Sequence, residues 1–231
     1  MPASFDQLHA RAADRHGGSK ALESQLPVPK SREALAAIPD ERWLSEMTRR
    51  VFQAGFNWSV VDTKWPGFEA AFEGFDVHRC AMLSDDDLDR LLSDPRIVRN
   101  GVKIRSVREN AAFLLDLAAA HGSAARVFAD WPSENFAGLL DLLKAKGARL
   151  GGLAGAIALR NLGKDSFLLS GDVVAALKRE GVIDGPPGSR RSMQAIQAAF
   201  NGWMAESGRG LTQISRVLAL GVGEKGAPRT E

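Results

Sequence analysis

The sequence predicts an all-α fold. Apolar residues recur at helical spacing over most of the chain, and residues that favour helix starts precede several of these segments. No segment alternates between apolar and polar residues for long enough to form a convincing strand. These observations predict about ten helices, without an internal repeat or a low-complexity segment.

The composition is that of an ordinary soluble globular protein. The 231 residues are 45% hydrophobic and 25% charged, and the formal net charge is only +2. Affinity for nucleic acid would therefore have to come from clustered cations. The single cysteine, Cys80, excludes an intramolecular disulfide. The sequence shows no signal-like or bilayer-length apolar run, so we expect a cytoplasmic protein without a membrane partner.

The first 38 residues are predicted to form an N-terminal arm. A short helix is expected, followed by an irregular segment around Gly17-Gly18 and Pro27-Val28-Pro29. Residues 39–225 are expected to form the helical domain.

The first helix of that domain is predicted to begin at Asp40, which suits an N-cap. Its apolar face consists of Trp43, Leu44, Met47 and Val51. A second helical segment contains Trp58 and is expected to end at Pro66-Gly67. Further along, residues 84–87 have the form of a capping box.

Five cations and no acid lie between residues 96 and 108. They are Arg96, Arg99, Lys103, Arg105 and Arg108. Such a segment is either a solvated helix face or a contact surface for phosphates.

A glycine-rich turn at residues 150–155 precedes a helix, and Asp172 stands at the start of the next one. Glycines allow close approach of the backbone, and the amides of a helix start favour an anion. Because no strand precedes the turn, it is neither a P-loop nor a dinucleotide fingerprint. It is either a tight packing turn or a turn that presents amides to a phosphate.

Nothing in the sequence indicates a metal or a cofactor. The four histidines and Cys80 are scattered and lack the short paired spacing of a structural zinc site. We therefore expect neither.

Two blocks of the chain resemble 3-methyladenine DNA glycosylase I. The first contains Gln53-Ala54-Gly55-Phe56-Asn57-Trp58, an aromatic segment at 68–75, Ile97-Val98-Arg99-Asn100, Lys103-Ile104 and Asn110; the second is Lys144–Gly152. More widely, residues 40–220 resemble the helix-hairpin-helix DNA glycosylase superfamily. The resemblance implies an all-α fold of two lobes with a cleft between them that takes a flipped base.

The hairpin of that superfamily reads roughly Leu-Pro-Gly-Val-Gly. Residues 150–154 occupy this place, with Gly151 for the proline and Ala154 for the second glycine. The resemblance implies that Gly151, Gly152 and Ala154 contact the DNA backbone, and Arg149, Arg99 and Lys103 are further phosphate candidates. A hairpin lysine that would form a Schiff base is replaced by Ala156, so no lyase activity is expected.

The resemblance also implies a base pocket. Trp58 matches the pocket tryptophan, and Phe56 lies beside it in the same block. The family's pocket glutamate, eight residues before that tryptophan, is Arg50 here. Glu46 could approach the pocket instead, or simply pair with Arg50 at i,i+4. The family's terminal zinc-binding residues have no counterparts.

The resemblance implies that Asp172 is the catalytic carboxylate. A base must leave the stack before it can be excised, and an aromatic floor can then hold it. A carboxylate near the sugar stabilises the oxocarbenium-like state and orients water. Two alternatives stay open at this point, since Asp172 could be a helix N-cap and Trp58 could pack in the core.

The sequence thus predicts a monofunctional DNA N-glycosylase of base excision repair. We expect a monomer that acts on double-stranded DNA at the bacterial nucleoid and releases an alkylated purine, with 3-methyladenine as the family default. One alternative is a DNA-binding protein that does not cleave. Another is a glycosylase with a different lesion, because Arg50 brings positive charge toward the pocket.

Overall fold

The computed structural model describes residues 2–222, and this range contains α-helices and short 3-10 helices but no strand. The all-α prediction is confirmed. The helices are α1 (Phe5–Arg15), α2 (Ser19–Glu23), α3 (Arg32–Ala36), α4 (Asp40–Gln53), α5 (Trp58–Ala71), α6 (Val77–Ala81), α7 (Asp85–Ser93), α8 (Gly101–His121), α9 (Ala124–Asp130), α10 (Phe136–Lys146), α11 (Leu153–Leu162), α12 (Gly171–Arg179), α13 (Arg190–Ser207) and α14 (Leu211–Leu220). The 3-10 helices are Glu73–Phe75 and Ser133–Asn135.

The described residues form two compact units. Unit 1 comprises residues 2–29, 132–137 and 165–222, and unit 2 comprises residues 30–131 and 138–164. Within residues 2–222, no helix combines the length and the apolar character that crossing a bilayer requires.

Unit 1 is built around the C-terminal helices, and it includes the N-terminal segment. Helix α1 buries Phe5, Leu8 and Ala12 and packs against α13 and α14. The indole N–H of Trp203 donates to the carbonyl of Ala3 at 3.0 Å. The predicted arm is therefore corrected: residues 2–29 belong to this unit because α1 has an apolar face that must be covered. Of the predicted domain, residues 223–225 lie outside the described residues.

Unit 2 has α4 and the long helix α8 at its centre. Helices α5, α9 and α11 pack on α4, and α6, α7 and α9 pack on α8. A ring cluster fills the space next to α5, and its members are Phe52, Trp65, Phe68, Phe72 and Phe75. This cluster gives the C-terminal half of α4 and the whole of α5 a common core.

Helix α5 does not end at Pro66-Gly67, contrary to the sequence prediction. It runs from Trp58 through Pro66 to Ala71, and Phe68 on its last turns is fully buried. The buried aromatic face outweighs the local cost of the proline. Gly67 permits a close approach, since a Cβ there would lie 2.5 Å from the carbonyl oxygen of Arg96.

Asp40 does not cap its own helix either. The N-cap of α4 is Pro39, and the Asp40 carboxylate accepts a hydrogen bond of 3.3 Å from the Ala125 amide at the start of α9. Burial raises the pKa of this carboxyl above its ordinary value. The capping box at Ser84–Asp87 is confirmed, with both reciprocal hydrogen bonds present.

Candidate functional site

The glycine-rich stretch forms a turn between two helices. Residues 147–152, here called the hairpin turn, connect α10 to α11. Gly152 has φ 63° and Arg149 has φ 60°, so both lie in the left-handed region. Gly152 is also the N-cap of α11 and supplies no side-chain hydrogen bond to it. The first amides of α11 are thus available to an anion.

A close approach between α11 and the hairpin turn depends on Gly155, a glycine that the motif resemblance did not identify. A Cβ on Gly155 would collide with the carbonyl oxygen of Leu150 and lie 2.9 Å from Cδ1 of Leu143. The position of this stretch that requires a glycine is therefore 155, one residue after Ala154. The signal was present in the sequence as Gly155 itself, but spacing alone did not show which position needs close approach.

Asn110 holds the hairpin turn from α8. Its side-chain amide donates to the Ala148 carbonyl at 3.1 Å and accepts from the Ala148 amide at 2.8 Å. Asn110 is fully buried. Asn110 belongs to the block that resembles 3-methyladenine DNA glycosylase I, but the sequence alone indicates no role for it. A polar residue in the middle of an apolar helix face was the signal that could have identified it.

A cavity of about 440 Å³ lies beside the hairpin turn. It is lined by Val51, Ala54, Arg149, Gly151, Leu153 and Ala154. Arg149, Gly151 and Gly152 are exposed, so the predicted backbone contacts of the turn are accessible from solvent. The assignment of these residues to DNA remains a prediction.

Lys103 does not present its charge at the surface, and its predicted phosphate contact is corrected. Its side chain is buried, and Nζ donates to the carbonyls of Phe52 at 3.1 Å and Ala54 at 2.7 Å. Lys103 thus closes the C-terminal end of α4, where carbonyls lack helical partners. Burial, and secondarily the charge of Arg149, lowers the pKa of Lys103 below its ordinary value.

The other cations of the 96–108 segment do not all have the same surroundings. Arg96 pairs with Asp94 at 2.7 Å, and Arg108 contacts Asp85 at 3.1 Å. Arg99 is exposed in the loop before α8. Arg99 therefore stays a candidate for a phosphate contact, whereas the segment as a whole is not one charged surface.

Trp58 differs from the other tryptophans of the described chain by its exposure. It is the first residue of α5 and is 45% exposed, as is Phe56 in the loop before it. Trp43, Trp65 and Trp203 are buried, and Trp131 is partly exposed. The alternative in which Trp58 packs in the core is therefore wrong. The loop that carries it is anchored by buried Gln53, whose side-chain amide donates to Asp62 at 2.9 Å.

Arg50 lies next to Trp58. The guanidinium carbon of Arg50 is 5.4 Å from the centroid of the Trp58 ring, within the range of a cation–π contact. Nε of Arg50 donates to Oε1 of Glu46 at 2.7 Å, and the Asn161 side chain donates to the same oxygen at 2.8 Å. The predicted i,i+4 pair is confirmed. We call Glu46, Arg50, Trp58 and Asn161 the indole cluster.

Asp172 lies in unit 1, and it is not a helix cap. Helix α12 begins at Gly171, and its N-cap is Ser170, whose hydroxyl accepts from the Val173 amide. Asp172 is partly exposed in the first turn, where the helix dipole favours a carboxylate. The capping alternative is thus wrong, and the catalytic assignment stays a prediction. The cleft between two lobes likewise stays a prediction.

Comparison with known proteins supports a relationship to DNA glycosylases. Residues 37–136 match the family model described as methyladenine glycosylase. DNA-3-methyladenine glycosylase 1 of Escherichia coli strain K12 is 34% identical over 65 residues, which are 28% of this chain and 35% of that protein. The chain thus spans about a third of the length of this curated relative. The resemblance to 3-methyladenine DNA glycosylase I is confirmed over the matched segment, which contains Arg50 and Trp58.

Solved structures of the same enzyme are also similar to the chain. A crystal structure of 3-methyladenine DNA glycosylase I has a TM-score of 0.46 and 22% identity, covering 63% of this chain and 86% of that one. A variant in complex with 3-methyladenine has a TM-score of 0.42 and 18% identity, covering 63% and 84%. A variant from Staphylococcus aureus has a TM-score of 0.43 and 17% identity, covering 68% and 89%. Because a TM-score below 0.5 does not establish a common fold, the sequence match carries the relationship.

Proposed function

We propose that this protein is a monofunctional DNA N-glycosylase that removes a damaged purine from double-stranded chromosomal DNA. The observation that carries the proposal is the exposed indole of Trp58 within the segment that matches methyladenine glycosylase. A large apolar ring that a soluble protein leaves exposed at a loop-to-helix junction suits a ligand with a flat face. Because the relatives are named as 3-methyladenine glycosylases, the default substrate is an alkylated purine, 3-methyladenine. The protein is proposed to act as a monomer.

Trp58 is proposed to hold the extruded base. Extrusion costs a few kcal/mol, and stacking on an aromatic side chain returns about 1–3 kcal/mol per base. Phe56 precedes Trp58 by two residues and is equally exposed. An exposed apolar side chain on such a loop can fill the space that the base leaves in the stack. The loop 54–57 would therefore contribute both to extrusion and to capture.

The hairpin turn is proposed to bind the phosphate backbone. Its exposed glycines let the chain approach closely, and the first amides of α11 and the Arg149 side chain supply donors and positive charge. Arg99 is proposed to add a second phosphate contact from the loop before α8. These contacts fix the protein on the duplex without reading its sequence.

Asp172 is proposed to act on the sugar. As the bond from C1′ to the base nitrogen breaks, its electron pair leaves with the base and positive charge develops on the sugar. A carboxylate stabilises this charge and accepts a proton from the water whose oxygen bonds to C1′. No lysine is needed, because the intermediate is attacked by water and not by an amine.

Release of free base from a panel of lesion-bearing duplexes tests this proposal. The wild type should release at least one damaged purine, and Asp172→Asn should lower the single-turnover rate by about 100-fold or more without weakening duplex binding. Asp184→Asn, the same change at an aspartate in a loop of unit 1, is the matched control and should leave the rate unchanged.

The alternative function is recognition of DNA without cleavage. Tight, salt-dependent binding of the duplexes with no release from any lesion would support that alternative and contradict the enzyme. Release that survives unchanged in Asp172→Asn would keep the enzyme but remove Asp172 from its mechanism.

A further inference from the structure

The terminal N–H groups of Arg50 are oriented for a ligand. Nε of Arg50 donates to Glu46, but neither Nη1 nor Nη2 has a hydrogen-bond acceptor among residues 2–222. The side chain is nevertheless only 12% exposed, and its guanidinium carbon lies 5.4 Å from the Trp58 ring. A guanidinium held in place with four unused N–H donors is a pre-organised site for a group that offers two acceptors.

Glu46 and Asn161 fix this orientation. Oε1 of Glu46 accepts from both Arg50 and Asn161, so the carboxylate that positions Arg50 is itself positioned from α11. The ion pair uses Nε of the guanidinium and leaves the fork formed by Nη1 and Nη2 without an acceptor among residues 2–222. Arg50 therefore keeps the geometry that makes bidentate contacts, although its charge is partly balanced.

A base that stacks on Trp58 shares the surroundings of the ring with the Arg50 guanidinium. Aromatic rings stack at about 3.5–4.0 Å, so a base cannot fit between the indole and a guanidinium that is 5.4 Å from the ring centroid. A base held beside the guanidinium instead can present an edge that accepts from Nη1 and Nη2. The edge that arginine contacts in bidentate fashion is the O6 and N7 pair of a 6-oxopurine.

Charge favours the same class of base. The Arg50 guanidinium would repel a purine that carries a positive charge. It would not repel a neutral purine in the same place. A neutral purine is also the harder leaving group, since it departs with the electron pair of the C1′–N9 bond as an anion. Donors at O6 and N7 stabilise that anion until it takes a proton from solvent, while water bonds to C1′.

We propose that the indole cluster selects a neutral 6-oxopurine, such as hypoxanthine, over a cationic alkylated purine. This inference rests on the proposed glycosylase function and concerns only its substrate class. Guanine shares the same edge but is protected by its pairing, because extrusion is cheapest for a base that is mispaired.

Single-turnover release of hypoxanthine and of 3-methyladenine from matched duplexes tests the inference. The wild type should release hypoxanthine at least about tenfold faster, and a duplex with only normal pairs should release nothing. Arg50→Gln should lower hypoxanthine release by about 100-fold, the effect of removing one transition-state donor, and should not slow 3-methyladenine release. Arg50→Lys keeps the charge but lacks the fork, and should also lose the preference.

Arg49→Gln is the matched control. Arg49 is the neighbouring residue of α4, and its guanidinium carbon lies 4.5 Å from the buried ring of Trp65. This change removes a cation–π contact that the same helix makes with Trp65 and leaves the contact between Arg50 and Trp58 in place. Both release rates should stay within about twofold of the wild type.

The possible failures can be told apart. Release of 3-methyladenine as fast as, or faster than, hypoxanthine by the wild type would overturn the inference and leave the glycosylase proposal intact. Absence of release from every lesion would overturn both. Because the wild-type preference alone decides the inference, it stays testable if an Arg50 variant does not fold.

Discussion

The hairpin turn and the indole cluster lie in the same unit but depend on different properties of their residues. In the hairpin turn and the first turn of α11, backbone conformation matters most: Gly152 has positive φ, and Gly155 allows the Leu150 carbonyl to approach. In the indole cluster, side-chain identity matters most: the donors of Arg50 are aligned by Glu46 beside an exposed ring.

The two regions should therefore respond differently to substitution. The hairpin turn should tolerate any residue that fits the conformation of its backbone. A recognition site changes its chemistry when a single side chain changes. We therefore expect substitutions in the indole cluster to change which base is released, and substitutions that preserve the backbone of the hairpin turn to leave the proposed contact with DNA unchanged.

The largest expected effect is the difference in stability between replacing the buried Trp65 and replacing the exposed Trp58. Trp65→Ala should lower the free energy of unfolding by about 3–5 kcal/mol, because it leaves a cavity in the ring cluster of unit 2. Trp58→Ala should lower it by about 1 kcal/mol or less, since an exposed cation–π contact contributes little. Urea unfolding measures both.

Base release should show the opposite order. Trp58→Ala should abolish release, while any folded fraction of Trp65→Ala should retain it. If Trp58→Ala lost as much stability as Trp65→Ala, Trp58 would be a core residue and the indole cluster would not be a ligand site.

A smaller effect should sharpen the description of the hairpin turn. Gly155→Ala should cost about 3 kcal/mol of stability, because its Cβ collides with backbone that cannot move freely. Gly151→Ala is the control within the same stretch: its Cβ would meet Cγ of Lys144 at 3.5 Å, an ordinary contact, so the cost should stay within about 0.5 kcal/mol. Equal costs at the two positions would contradict the close approach at Gly155.

The smallest effects should distinguish Lys103 from Arg149. Lys103→Met should lower stability by about 2 kcal/mol, since two carbonyls at the end of α4 lose a charged donor. The salt dependence of duplex binding should not change. Arg149→Met should instead leave stability within about 0.5 kcal/mol and reduce the salt slope by about one charge. A reduced slope for Lys103→Met would restore its phosphate contact.

The all-α class and most helix starts could be predicted from the sequence, because periodicity and capping residues are local signals. The continuation of α5 through Pro66 could not, since it depends on Phe68 joining a ring cluster formed by distant residues. The same holds for Lys103. Its charge suggested a surface contact, but the carbonyls that it meets belong to another helix.

The residues of the candidate site were predictable to different degrees. Trp58 and Arg50 were found by resemblance, but the exposure of the indole and the use of Glu46 as an orienting carboxylate required the structure. Asn110 and Gly155 were visible in the sequence without a role, because their function is to hold a turn that is formed by other elements. Spacing identifies residues along a helix, not partners across the fold.

A crystal structure of Asp172→Asn bound to the lesion duplex that the wild type cleaves fastest tests the central claim most directly. We predict that the damaged base lies out of the duplex on the ring of Trp58, with an edge within hydrogen-bond distance of Nη1 or Nη2 of Arg50. A base that remains stacked in the duplex, or lies in a pocket away from Trp58, would contradict the account.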